Sequence, residues 1–306
     1  MPDTPTWFFC IGAQKAGTTW LYDYCAKHPE IHVPSVKEVH YFNVLHDPKQ
    51  TGFAKNRRRS LDAAESRPLG ALMANTFRTK QPGDDGSKKA LRALVAMHED
   101  SSQNHSAYQQ LVTAGRKDEP VVADITPCYS VLKQAAFADM ASLPGKPKFL
   151  FIMRDPIERT WSAIKMHRQF LKSQKQIERT EMELVDLLVD GRQSHIMQRS
   201  MYQRTLHNLR CAVPDDQVLV LFYEDLFTDA SMKRLCDFLG VSFVSGDYAA
   251  RIRKGKAETI PTEAFDKLAT LFRKVYEKVA ENYRDRLPAN WHTDLVLEQQ
   301  SLRAVS

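Results

Sequence analysis

The sequence predicts an α/β chain with a P-loop-like three-layer fold, a central parallel sheet flanked by helices. Three observations predict it. Continuous apolar runs recur at Thr6–Ile11, Lys148–Met153 and Gln217–Phe222, the pattern of strands buried on both faces. Amphipathic stretches of helical length separate those runs. The first run passes through a glycine-bounded loop, Gly12 to Gly17, straight into a helical segment.

The elements follow in chain order. Thr6–Ile11 (TWFFCI) is β-branched and aromatic without charge, so it reads as a strand. The helix after the loop opens at Thr18 and stops near His28-Pro29, because proline breaks the ladder. Ser35 to Phe42 reads as extended, which would put Glu38 and His40 on one side. From about 51 to 119 the chain is polar, with Arg57-Arg58-Arg59, a Pro82-Gly83 turn and a short helical pattern at Lys89–His98. That stretch reads as an insertion over the ligand edge of the sheet. Val121–Asp124 is a short strand and Lys148–Met153 a longer one. Helices are predicted at about 158–172, 181–190 and 201–210, and another at about 231–239 that Gly240 terminates. Phe265, Leu268, Phe272, Val275, Val279 and Tyr283 step by three and four, which marks a C-terminal helical segment at about 262–286. Residues 1–306 are read as a single domain, because α/β units often use about 250 residues or more.

Composition excludes several classes. With 43% hydrophobic and 26% charged residues, the chain is an ordinary globular one and neither disordered nor collagenous. Lys and Arg number 43 against 37 Asp and Glu, an excess of +6 that suits an anionic ligand but is too small to indicate nucleic acid. The five cysteines are odd in number and none is spaced CxxC, which argues against a disulfide framework or zinc site and for a reducing compartment. The run Trp7 to Ala13 lacks a basic leader and is too short for a signal peptide or membrane span. A cytoplasmic protein with no membrane span is the expectation; oligomeric state is open.

Gly12-Ala13-Gln14-Lys15-Ala16-Gly17-Thr18-Thr19 carries chemistry. It has the glycine spacing of a phosphate loop, but Thr18 stands where the lysine of an ATP-binding loop belongs, and Lys15 lies inside the loop instead. The physical logic survives: backbone N–H groups and the dipole at a helix start bind an anion, and the two hydroxyls can donate to it. Ile11 to Leu21 resembles the 5′-phosphosulfate loop of sulfotransferases that use 3′-phosphoadenosine 5′-phosphosulfate (PAPS). The resemblance implies that Gln14, Lys15, Ala16, Gly17, Thr18, Thr19 and Trp20 bind this co-substrate. It also implies adenosine 3′,5′-bisphosphate as product, and no metal.

The family has a second phosphate site. Arg154-Asp155-Pro156, followed by Arg159 and Ser162, lies just after an apolar strand, where open α/β sheets bind ligands. Ser162 sits about two turns beyond Arg154, so an arginine and a hydroxyl can converge. This resembles the family's 3′-phosphate motif and implies Arg154 and Ser162 as its ligands. Arg159 is either structural or a phosphate contact. Arg253, Lys254 and Gly255 resemble the family's late basic loop, or form a solvated basic turn. Phe222-Tyr223-Glu224-Asp225 also resembles the family and reads as structural.

Lys37-Glu38-Val39-His40-Tyr41-Phe42 resembles a segment of the heparan-type sulfotransferases and their soluble bacterial relatives. It implies Glu38 as catalytic base, His40 as its partner and Lys15 as the cation at the departing oxygen. A Lys37–Glu38 surface ion pair is the plainer alternative. Asp124-Ile125-Thr126-Pro127-Cys128-Tyr129 resembles another family segment, but Ile125 replaces a lysine that goes with polyanionic sugar acceptors. A smaller or less acidic acceptor is therefore expected, a small-molecule or carbohydrate hydroxyl with an amine second. A P-loop small-molecule kinase is the competing enzyme: it would use Mg²⁺, with Asp124 as its metal-holding aspartate. A nucleic-acid binder using Arg57–Arg59 and Lys88-Lys89 would need interleaved aromatics, which are sparse there.

Overall fold

The computed structural model describes residues 4–66, 84–102, 104–174, 179–249 and 259–303. Five parallel strands form one sheet: β1 (Thr6–Gly12), β2 (Ile31–His32), β3 (Val121–Ile125), β4 (Lys148–Met153) and β5 (Val218–Phe222), in the order β2-β3-β1-β4-β5. All pairings are parallel, with Phe9 opposite both Asp124 and Phe149, and Phe151 opposite Val220. The predicted α/β fold is the one observed. The apolar runs become strands because both faces are covered; Phe8, Phe9, Cys10, Ile11 and Phe149 to Met153 are all buried.

Helices supply the cover. In chain order they are α1 (Thr18–Lys27), α2 (Tyr41–His46), α3 (Gly52–Glu65), α4 (Asp84–Glu99), α5 (Ser106–Thr113), α6 (Gln134–Ala141) and α7 (Pro156–Ser173). Then follow α8 (Glu181–Val189), α9 (Ser194–Gln198), α10 (Tyr202–Arg210), α11 (Asp229–Leu239), α12 (Thr262–Tyr283) and α13 (Thr293–Arg303). The α12 stripe Leu268, Phe272, Val275, Val279 is buried, and α12 packs on α7, α8 and α10. Helices α3 and α4 pair through a small apolar cluster of Leu61, Leu91 and Val95, closed by Arg58–Glu99 and Arg92–Glu65 ion pairs.

Two features aim this scaffold at its C-terminal edge. The strand order reverses at β1, whose neighbours are β3 and β4, so a crevice opens beyond the strand ends. A bulge then sets Cys10 opposite Leu150 but Gly12 opposite Phe151, turning the chain off the sheet into the glycine-bounded loop. The Ala13 N–H donates to the Ile152 carbonyl at 2.7 Å, which holds that loop beside the end of β4.

One expectation needs correction. Ser35 to Phe42 is not extended: Glu38 (φ 58°) and His40 (φ 59°) are both left-handed, and α2 starts at Tyr41. Strand alternation therefore does not bring Glu38 and His40 together; the left-handed turn does. The two-residue strand β2 gave no sequence signal, being shorter than any periodicity window.

Candidate active site

The phosphate loop is built by backbone conformation. Gly17 adopts φ 81°, and a Cβ there would lie 2.7 Å from Leu226 Cδ2, so only glycine fits. Lys15 is also left-handed at φ 72°. Among the described residues four non-glycine residues have positive φ, and three of them are Lys15, Glu38 and His40. Such backbone costs about 1–2 kcal/mol per residue and clusters where function holds it in place. Helix α1 starts without a side-chain cap, so its first N–H groups have no side-chain acceptor of their own. Ala16 and Thr18 are buried, while Gln14, Lys15 and Thr19 are half-buried at the loop's outer side.

Arg154 joins the second motif to the first. Its Nη1 donates to the Lys15 carbonyl at 3.1 Å and its Nη2 to Glu158 Oε2 at 3.2 Å. Its guanidinium lies 4.7 Å over the Tyr223 ring. Asp155 fixes this corner: Oδ1 caps α7 by accepting from Ile157 and Glu158 N–H, and Oδ2 accepts from the Tyr276 hydroxyl and the His292 N–H. The Asp155 N–H donates to Glu224 Oε1 at 3.0 Å, which gives Glu224 the structural role read from sequence. Ser162 is half-buried two turns beyond Arg154, with Glu158 between them on the same side of α7. His292 and then Arg154 outweigh burial and hold the Glu158 carboxyl below its ordinary value.

Arg159 resolves as structural. It is fully buried, with Nε donating to Ser200 Oγ at 2.5 Å and Nη2 to the Ile196 carbonyl at 2.7 Å and Thr160 Oγ1 at 3.1 Å. Burial pulls its guanidinium down to about 10. Trp20 is buried, donates Nε1–H to the Asp247 carbonyl, and stacks with Tyr24 and Tyr248. Phe227 meets the Trp20 ring edge-on at 5.1 Å and the Tyr223 ring at 5.3 Å, so aromatic contacts run from Trp20 to Arg154. Arg253, Lys254 and Gly255 lie outside the described residues.

A polar chain runs from the phosphate loop to Glu38. Lys37 Nζ donates to Thr19 Oγ1 at 2.6 Å and approaches Glu38 Oε1 at 3.9 Å. His40 Nε2 lies 3.6 Å from Glu38 Oε2. His40 is buried; its ring stacks on Phe53 of α3 at 3.7 Å, and its Nδ1 meets Asn43 Oδ1 at 3.0 Å. Asn43 Nδ2 donates to the Cys128 carbonyl, so Oδ1 is the acceptor, and His40 Nδ1 carries the hydrogen. The other ring nitrogen, Nε2, is the one that faces Glu38. Arg57 donates to the Glu38 carbonyl at 3.0 Å. Burial pushes the Glu38 carboxyl up, but His40, Lys37 and Arg57 outweigh it and hold it below the usual carboxylate value.

The sequence reading missed several of these groups. Asn43 sits one turn after His40, a spacing that could have flagged it. Arg57, read as part of a basic run, turns inward while Arg58 pairs with Glu99. Cys128 lies in a segment noted only for its resemblance, and Arg199 gave no signal at all. Asp124 is not a metal-holding aspartate: its buried carboxylate accepts from the Tyr108, Tyr129 and Thr126 hydroxyls at 2.6–3.0 Å. Burial pushes that carboxyl up. With Thr18 in the lysine position, the kinase reading loses both of its anchors.

Comparison with known proteins agrees with this geometry. The model of the sulfotransferase family matches residues 5–245. A sulfotransferase from Alicyclobacillus acidocaldarius superposes with a TM-score of 0.61 at 20% identity, covering 91% of this chain and 95% of the other. The sulfotransferase domain of the Synechococcus PCC 7002 olefin synthase superposes with a TM-score of 0.51 at 18% identity, covering 94% and 96%. At these identities the structures are alike in fold alone. No curated protein sequence matches the chain. Among the described residues no helix is long and apolar enough to cross a membrane.

Proposed function

The chain belongs to the sulfotransferase family, and from that premise we propose that it moves the sulfuryl group of PAPS to a hydroxyl acceptor, an amine being second choice, and releases adenosine 3′,5′-bisphosphate. The observation that carries this is the 3.1 Å bond between Arg154 and the Lys15 carbonyl, which joins the two phosphate motifs at one sheet edge. The residues suit the donor. The uncapped start of α1 with Thr18 and Thr19 takes the 5′-phosphate end. Arg154 and Ser162 take the 3′-phosphate, and the Trp20–Tyr248–Phe227 cluster offers an aromatic wall for a base.

The donor supplies an activated sulfuryl group; the protein must remove a proton and stabilise the leaving oxygen. Glu38 takes the acceptor proton as the acceptor oxygen bonds to sulfur, and the electron pair of the broken sulfur–oxygen bond leaves on the phosphate. His40, whose Nε2 faces Glu38 at 3.6 Å, orients the carboxylate toward the acceptor hydroxyl. Lys15 sits in the loop that faces the departing oxygen, and Lys37 ties Glu38 to Thr19. A cytoplasmic setting belongs to the same reading, in keeping with five cysteines free of disulfides.

Calorimetric titration tests the donor. Adenosine 3′,5′-bisphosphate is expected to bind without added metal and more tightly than Mg²⁺-ATP. A preference for Mg²⁺-ATP would sink the proposal.

A further inference from the structure

Arg199 is the residue that closes α9. Its Nη1 donates to the His195 carbonyl and its Nη2 to Cys128 Sγ at 3.1 Å, while its buried Nε has no partner among the described residues. No ion pair forms on it among the described residues. The next residue, Ser200, is locked by Arg159 and Thr160, so the position of Arg199 is fixed by the corner that holds α7. A guanidinium satisfied only by one carbonyl and a thiol has most of its five donors available, and an oxyanion is the group that matches them.

Its location says which ligand it faces. Cys128 O accepts from Asn43, Asn43 holds His40, and His40 faces Glu38. Arg199 thus stands at the far end of the chain that orients the base. Cys128 feels both groups: burial raises its thiol, Arg199 lowers it and the Glu38 charge raises it. Glu38 is also met by Lys37 and by Arg57, so the carboxylate lies between two cations. The field around the base is positive, and Arg199 helps to press the nearby His195 ring, already lowered by burial, down to about 4.

We infer that the acceptor is itself an anion: a hydroxyl compound whose carboxylate, phosphate or sulfate group docks on Arg199 while its hydroxyl meets Glu38. The inference rests on the proposed sulfuryl transfer and adds the chemical class of the acceptor.

The test uses matched acceptors with the full chain and PAPS: para-hydroxybenzoate beside para-hydroxybenzamide, glucuronate beside glucuronamide, and lactate beside lactamide. Release of adenosine 3′,5′-bisphosphate gives kcat/KM for each. At least one carboxylate is expected to exceed its amide by about tenfold or more, the scale of one buried ion pair in recognition. Arg199→Met should abolish that preference, and Arg199→Lys should keep part of it. A purely structural role would lower both members of a pair alike. Equal rates within every pair, no turnover of any carboxylate, or a preference that survives Arg199→Met overturns the inference. Calorimetry with adenosine 3′,5′-bisphosphate separates the two levels. Its affinity should be unchanged in Arg199→Met; a loss would place Arg199 on the donor and overturn the acceptor assignment, leaving the donor reading intact.

Discussion

Replacing Arg154 by methionine probes how the two phosphate motifs work together. The guanidinium spends Nη1 on the Lys15 carbonyl and Nη2 on Glu158, and stacks on Tyr223. A phosphate arriving at this corner competes with Glu158 for the same cation. Two charge-assisted hydrogen bonds to phosphate, at about 1.5 kcal/mol each, amount to about 3 kcal/mol. That is a loss on the order of 100-fold in Kd. The substitution also strips the Lys15 carbonyl of its donor and loosens the loop, an effect of about 1 kcal/mol that any loop ligand would feel. Calorimetry with two nucleotides separates these parts. Adenosine 3′,5′-bisphosphate should lose both parts, about 4 kcal/mol or on the order of 1,000-fold in affinity, and adenosine 5′-phosphate, which lacks the second phosphate, about fivefold. Equal losses on both nucleotides, or a bisphosphate affinity close to wild type, would refute the assignment of Arg154 to the 3′-phosphate.

Two more expectations follow. Glu38→Gln should lower kcat by a hundredfold or more, on the order of a lost general base, with bisphosphate affinity unchanged. Because its neighbours hold the Glu38 carboxyl below the usual value, wild-type kcat/KM should stay flat below neutrality and fall only as the carboxylate gains its proton. An acid limb at about pH 6 or above would exclude it as the base. Arg159→Met should act on stability. It leaves Ser200 and the Ile196 carbonyl without the Arg159 donor, a cost of about 2 kcal/mol read as a Tm lower by roughly 3 °C. An unchanged Tm with lost bisphosphate binding would make Arg159 a ligand contact instead.

What the sequence made legible is what is local. The strands were legible because burial on both faces writes an unbroken apolar run, and Lys148–Met153 was placed to the residue. The phosphate loop was legible because glycine spacing and the helix after it are one continuous stretch. The Glu38 region was legible only as a resemblance. Its geometry depends on two non-glycine residues in the left-handed region, which no periodicity signals, and on Asn43 and Cys128 bonding across 85 residues. Arg57 and Arg199 were illegible for the same reason. An arginine's partner is set by the tertiary fold, and an exposed one and an inward one have the same letter.

The two helix starts at this edge explain why the two phosphate sites differ in kind. Helix α7 is closed by its own aspartate, whose Oδ1 takes the N–H groups of Ile157 and Glu158 and whose Oδ2 is held by Tyr276 and His292. No anion can use that terminus, because a carboxylate already does. Helix α1 opens at a glycine with no side-chain oxygen to offer. Its N–H groups and dipole therefore favour an incoming anion, which must be the one nearest Lys15. On the proposed reading the second phosphate has only side chains to bind, Arg154 and Ser162. A cap on α1, as in Gly17→Asp, would fill the first site with a carboxylate as Asp155 fills α7, besides colliding with Leu226. On that reading the uncapped helix holds one phosphate by backbone, and the capped one leaves the other to an arginine.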